Sequence, residues 1–190
     1  MNIKRSTFIK LSGLAAISPL VFKSCKSSTN SSVVACGEFN LEQRIKELGL
    51  VLPPAPKAVG IFKPVLVSGN LLYVSGQGPV LPDGSMITGR VGADLSLEEG
   101  QLAARQVGLT MISVIKEYFG DLNRICRLIK TLGMVNCTMD FHQQPAVING
   151  FSGLMAEIFG EDNGIGVRSA VGMMLPFNIA VEVEAVFELK

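Results

Sequence analysis

Residues 167–187 read VRSAVGMMLPFNIAVEVEAVF, two apolar runs split at Leu175-Pro176, with Arg168 near the start and Glu182 and Glu184 near the end. A guanidinium can hold a carboxylate through two parallel hydrogen bonds, and a carboxylate in an apolar setting can orient a water molecule and take its proton. Together they suit the addition of water to an electrophilic carbon on a substrate that carries an acid group. Plainer roles fit the same residues: Arg168 as half of a structural ion pair, the two glutamates as the solvated side of a strand. Other chemistry is thinly supplied. The single histidine, His142, stands in DFHQQP, a polar approach to a helix, and Ser75 in VSGQGP lacks the elbow of a serine hydrolase. With one histidine and no CxxC pair, no metal site is readable.

The elements that must position these charges are legible by period and punctuation. In IAVEVEAVFEL, Ile179, Val181, Val183, Ala185, Phe187 and Leu189 alternate with Ala180, Glu182, Glu184, Val186 and Glu188. The first set predicts a face buried under helices, and the second a face that meets water, a pocket or another subunit. Ser96 and Glu99 form a capping box ahead of a helix that closes at Gly120, and Pro145 opens a second helix through QQPAVINGFSGLMAEIFG. Ser68-Gly69-Asn70 splits a hairpin, RICRLIKTLGMVNC is a strand, and EDNGIG reads as a loop. Met173 and Met174 read as core or interface filler. The order strand, strand, helix, strand, helix, strand, strand describes an α+β sheet with both helices on one face.

The start of the chain is a different kind of segment. Lys4, Arg5 and Lys10 precede or enter a mainly apolar run from Leu11 to Phe22, and Cys25 follows directly. That is the layout of an export signal, and the run is too short to span a bilayer, which needs about 20 residues. Cys25 before KSSTNSS resembles the lipid-accepting cysteine of a bacterial lipoprotein; plain cleavage is the alternative. VVAC, ending at Cys36, fits the lipoprotein string but lies well beyond the apolar run. The expected organisation is an export or lipoprotein signal over 1–25, a tether with a short helix capped by Asn40 over 26–51, and a domain over 52–190. Cys126 and Cys137 lie too far apart on one strand to pair and read as small buried apolar residues.

Of 17 basic residues, four (Lys4, Arg5, Lys10 and Lys23) fall in the first 25 positions, where there are no acids, leaving 13 against 16 acidic groups. That balance argues against a phosphate-binding surface, and no basic aromatic patch is visible, so no nucleic-acid partner is expected.

RSAVGMMLPFNIAVEVEAVF, LLYVSGQGP and the QPAVIN segment resemble the reactive intermediate deaminase family, also called RidA or YjgF and often labelled endoribonuclease L-PSP. LPPAPKAVG and SLEEGQLAAR point to its chorismate-mutase-like subgroup, and the resemblance runs from about Leu52 to Lys190. It implies a mixed six-stranded sheet with two helices on one face, assembled as a homotrimeric barrel with ligand clefts between subunits. It also implies hydrolysis of an enamine or imine to a 2-keto acid and ammonia, without a cofactor. Arg168 matches the family's carboxylate-binding arginine, and Glu182 the water-holding glutamate once a one-residue deletion is allowed. Gly76 and Asn149 match further substrate-site positions. Phe62 stands where a tyrosine is usual and Ala170 where a cysteine is frequent, so both belong to the implied site with altered chemistry. The alternative is a trimeric carboxylate-binding protein that kept the cleft and lost catalysis. Exported periplasmic or lipid-anchored residence would touch the membrane only through the amino-terminal lipid. The mature chain is expected to begin at a lipid-bearing Cys25; mass spectrometry of protein from the native host checks this, and an intact Met1 terminus would refute it.

Overall fold

Asn40 accepts a hydrogen bond from the Gln43 amide (2.9 Å) and starts α1 (Leu41–Glu47), which buries Leu41 and Ile45 in the core. The computed structural model describes Cys36 and residues 40–190. The expected leader and the lipid acceptor Cys25 lie outside the described residues.

After a proline-rich extended segment the hairpin forms β1 (Val65–Ser68) and β2 (Leu71–Gln77). Next comes α2 (Leu97–Tyr118), and both halves of its capping box are present. Ser96 Oγ accepts from the Glu99 amide at 3.1 Å, while the Glu99 carboxylate accepts from the Ser96 amide at 2.7 Å. β3 (Ile125–Val135), α3 (Gln144–Phe159) with Pro145 in its first turn, β4 (Val167–Gly172) and β5 (Val181–Leu189) follow. The sheet order is β1-β2-β5-β3-β4. All neighbours are antiparallel except β3 and β4, and the crossover that a parallel pair requires is made through α3.

β5 is central, and its two sides part as its pattern demands. Val181, Val183, Ala185, Phe187 and Leu189 are buried beneath α2 and α3, among Met111, Ile112, Ile115, Phe151 and Ile158. Each such side chain removed from water contributes about 1.5–3 kcal/mol. The two helices come close enough that a Cβ on Gly150 would overlap the Gln101 carbonyl oxygen, so this position admits glycine alone without displacing backbone.

The structure corrects four expectations. The sheet has five strands, not six: residues 80–91 make isolated bridges (Val80 with Met86, Thr88 with Ile179), because Pro79, Pro82, Gly84 and Gly89 interrupt any continuous ladder. The short helix expected after Asn40 is present as α1, but a single turn, α4 (Glu161–Gly164), adds to the helices and occupies the start of the EDNGIG segment read as a loop. Met173 is half exposed and Met174 is 95% exposed, so of the two readings, core or interface filler, the core one falls. Cys126 is buried, but it is not a lone apolar residue. It sits at a bulge where β3 slips against β5 and is disulfide-bonded to Cys36, with the two Cα atoms 5.2 Å apart. Cys36 is thereby closed to lipid attachment, and Cys137 is free.

The disulfide joins positions 90 residues apart and so removes much of the freedom of the unfolded chain. Cys36→Ser is expected to lower unfolding free energy by about 2–4 kcal/mol, read by denaturant titration beside non-reducing peptide mapping of the wild type. An unchanged midpoint in the variant would contradict the cross-link.

Candidate functional site

Strand register decides where the charges go. Thr131 pairs with both Ala185 and Arg168, and Gly133 with both Val183 and Ala170, so Arg168 and Ala170 belong to the helix-covered face of the sheet. Met134 pairs with Glu182 and Val171, and Leu132 with Glu184 and Ser169, so the two glutamates belong to the opposite face. Arg168 and Glu182 of one chain therefore line separate cavities on opposite sides of the sheet.

Arg168 is held by α3. Its guanidinium donates to the Pro145 carbonyl (3.0 Å), Asn149 Oδ1 (2.8 Å) and Ser152 Oγ (2.9 Å), three acceptors on one helix face. All three acceptors are neutral, and no carboxylate lies within ion-pair distance of Arg168 among the described residues. Among the described residues of one chain Arg168 thus forms no ion pair, and the cation is positioned while its charge stays uncompensated. Asn149 touches the arginine directly. Ser152 does the same work and was missed from sequence, although its place three residues after Asn149 put it on the same face.

Glu182 is half-buried beside β2. The pairing of β2 with β5 slips between Val74 and Gln77, and Gly76 lies in that bulge. A Cβ on Gly76 would collide with the Glu182 carboxylate, so the missing side chain is what gives the carboxylate its place. Burial pushes the Glu182 carboxyl above its ordinary value, and the neighbouring Glu184 charge adds to the rise. The third carboxylate of the strand, Glu188, is neutralised by Arg127 and accepts from the Asn70 amide.

Phe62 and Gly76 join Glu182 around one cavity of 240 Å³, whose further walls include Val80, Met86, Phe177 and Ile179. Ser75 ties the extended segment bearing Phe62 to β2: its hydroxyl donates to the Lys63 carbonyl (2.7 Å) and its amide to the Pro64 carbonyl (3.0 Å). Ala170 is half-buried against the core and lines neither cavity. His142 is exposed. Among the described residues no group of three or more His, Cys, Asp or Glu could hold a metal.

Phe177 was not singled out from sequence. It and Asn178 both adopt positive φ (55° and 56°), a left-handed conformation that costs a residue other than glycine about 1–3 kcal/mol. The turn is held by Asn136 Nδ2 donating to Asn178 Oδ1 (3.0 Å) and by the Gly89 amide donating to the Asn178 carbonyl (2.8 Å).

Residues 42–187 match the family described as "YjgF/chorismate mutase-like, putative endoribonuclease". The chain belongs to this family. Among its relatives, Protein TCP17 of Trypanosoma cruzi is 41% identical over 159 residues, covering 83% of this chain and 98% of TCP17. The crystal structure of protein Atu1372 of Agrobacterium tumefaciens, of unknown function, shares 42% identity over 80% of this chain and 94% of its own, with a TM-score of 0.70. That of a "putative endoribonuclease" of Shewanella oneidensis MR-1 shares 32% identity over 79% and 99%, with a TM-score of 0.74. The YjgF fold is thus common to all three architectures, α+β with a mixed sheet.

Because the folded YjgF-family chain holds the Glu182 proton more tightly than an unfolded chain does, the ionised carboxylate subtracts stability above its raised value and nothing below the ordinary 4.5. Glu182→Gln is expected to raise the melting temperature at pH 8, with the gain shrinking as pH falls toward 4.5. Thermal melts across that range check it; a constant gain would mean the carboxyl is not perturbed.

Proposed function

We propose that the protein is an exported hydrolase of 2-imino acids and their enamine tautomers, releasing 2-keto acid and ammonia at sites shared between neighbouring copies of the chain. The observation that carries this reading is the uncompensated Arg168, held by three neutral acceptors on the face opposite Glu182. One chain cannot place both groups on one small ligand. A second copy, packed against the glutamate-bearing face, can bring its Arg168 to the first copy's Glu182.

That face supports such packing. Leu66, Tyr73, Val186, Leu132, Val167 and Val171 share it by register, and Val167 is 70% exposed. These apolar side chains are interspersed with Glu182, Glu184 and Lys130, and a sheet face of that mix without a helix layer suits a subunit contact. A homotrimer is the closed assembly proposed. Residence outside the cytosol has two supports, the basic-apolar-cysteine leader and the Cys36–Cys126 disulfide, since such bonds persist in oxidising compartments.

In the reaction Arg168 grips the substrate carboxylate and fixes the adjacent C=N carbon beside Glu182. Glu182 accepts a proton from water as the water oxygen bonds to the carbon of the protonated imine, whose C=N electron pair moves onto nitrogen to give a carbinolamine. The carboxyl then returns that proton to the amine nitrogen, and as the C–N bond breaks the Glu182 carboxylate takes the hydroxyl proton, so that C=O forms and ammonia leaves. The raised affinity of Glu182 for protons suits a group that must both take and give one. Phe62 packs at the cavity and offers no hydrogen bond.

Ammonia release from freshly generated 2-imino acids tests the proposal. Arg168→Ala and Glu182→Gln should each lower kcat/KM by at least 100-fold, a loss of about 2.7 kcal/mol or more of transition-state stabilisation. Refolding the two inactive variants together at equal amounts should restore activity at roughly one quarter of the interfaces, where each copy supplies its intact residue. No recovery would refute a shared site, and keto-acid binding without ammonia release by the wild type would replace the hydrolase with a binding protein.

A further inference from the structure

The cavity beside Glu182 is apolar far beyond what holding a water requires. Phe62, Val80, Met86, Phe177 and Ile179 line it, and among the described residues its side chains with charge or hydrogen-bonding groups are Lys57, Gln77 and Glu182. One N–H of the Gln77 amide is already given to the Ser75 carbonyl at 2.9 Å. At 240 Å³ the space exceeds the roughly 150 Å³ apolar cavity that takes up benzene. A methyl group would leave it mostly unfilled. A cationic side chain would meet Lys57 and compete for the carboxylate that must hold water.

Phe177 adds an independent observation. Its backbone is strained, yet its ring is 70% exposed and fills no part of the core. Among the described residues nothing offsets the strain by burial, while the turn is pinned by two hydrogen bonds that keep this residue at the cavity wall. A strained backbone that presents an exposed aromatic ring to a cavity fits a ligand contact better than a folding role.

We infer that this cavity is the side-chain subsite, that it selects 2-imino and 2-keto acids bearing an aromatic or branched aliphatic side chain, and that Phe177 determines this selection. The inference rests on the proposed imine-hydrolase reading for the carboxylate end of the ligand, and on cavity geometry alone for the other end.

Isothermal titration of the full-length protein with phenylpyruvate, 4-methyl-2-oxopentanoate and pyruvate tests it. The two bulky acids should bind at least tenfold more tightly than pyruvate. Phe177→Ala should reduce that preference below threefold. Phe177→Gly, which suits the left-handed turn, should lose the preference equally while melting no lower than wild type, which separates ring loss from misfolding. A wild-type preference below threefold, or one that survives in both variants, overturns the inference. Arg168→Ala separates the two readings: equal weakening of all three ligands supports the carboxylate role. Unchanged affinities with the preference intact would defeat that role and leave the apolar subsite standing.

Discussion

The alternation along β5 is the constraint from which the rest of the molecule follows. A central strand bonded on both edges can shed neither neighbour, so its two sides must be satisfied by different surroundings. Val181, Val183, Phe187 and Leu189 demand a hydrophobic roof, and α2 and α3 supply it. Glu182 and Glu184 are then fixed on the other side whatever the loops do. A slip of one residue would bury three carboxylates and expose five apolar side chains, which locks the register to its neighbours β2 and β3.

The same register divides labour across the sheet. The helix side gives rigidity: Arg168 reaches α3, and a long side chain that would otherwise lose much freedom on binding is already ordered. The open side gives chemistry, because the bulge at Gly76 makes room for a carboxylate that burial has made reluctant to ionise. Neither half has the other's partner. Holding a half-buried unpaired carboxylate is costly, and such cost is tolerated where a ligand or a neighbour relieves it.

What sequence reveals here is what is local. The capping box at Ser96, the cap at Asn40, Pro145 in the first turn of α3 and the period of β5 each depend on residues within a few positions, and each is found in place. Long-range relations are not encoded that way. Cys36 and Cys126 pair across 90 positions with no spacing motif to announce them. The face taken by Arg168 is set by its pairing with Thr131, not by its own strand's pattern, because β4 is an edge with both sides largely exposed. Phe177 and Asn178 carry no glycine to signal a left-handed turn, and only the Asn136 side chain, far along the chain, explains how Asn178 is held there. The residues of the candidate site were recognisable by kind and resemblance; their distribution over two faces required coordinates.

The disulfide also decides how the molecule would bear a load. Cys126 stands at the first bulge of β3, beside β5, so a pull applied on the amino-terminal side of Cys36 passes through sulfur into the middle of the sheet. The segment from α1 through the proline-rich stretch, the hairpin and α2 lies inside the covalent ring and outside that line of force. A backbone cut anywhere between the two cysteines would leave the pieces joined, and the mechanical anchorage of the domain would survive a nick in its most exposed connections.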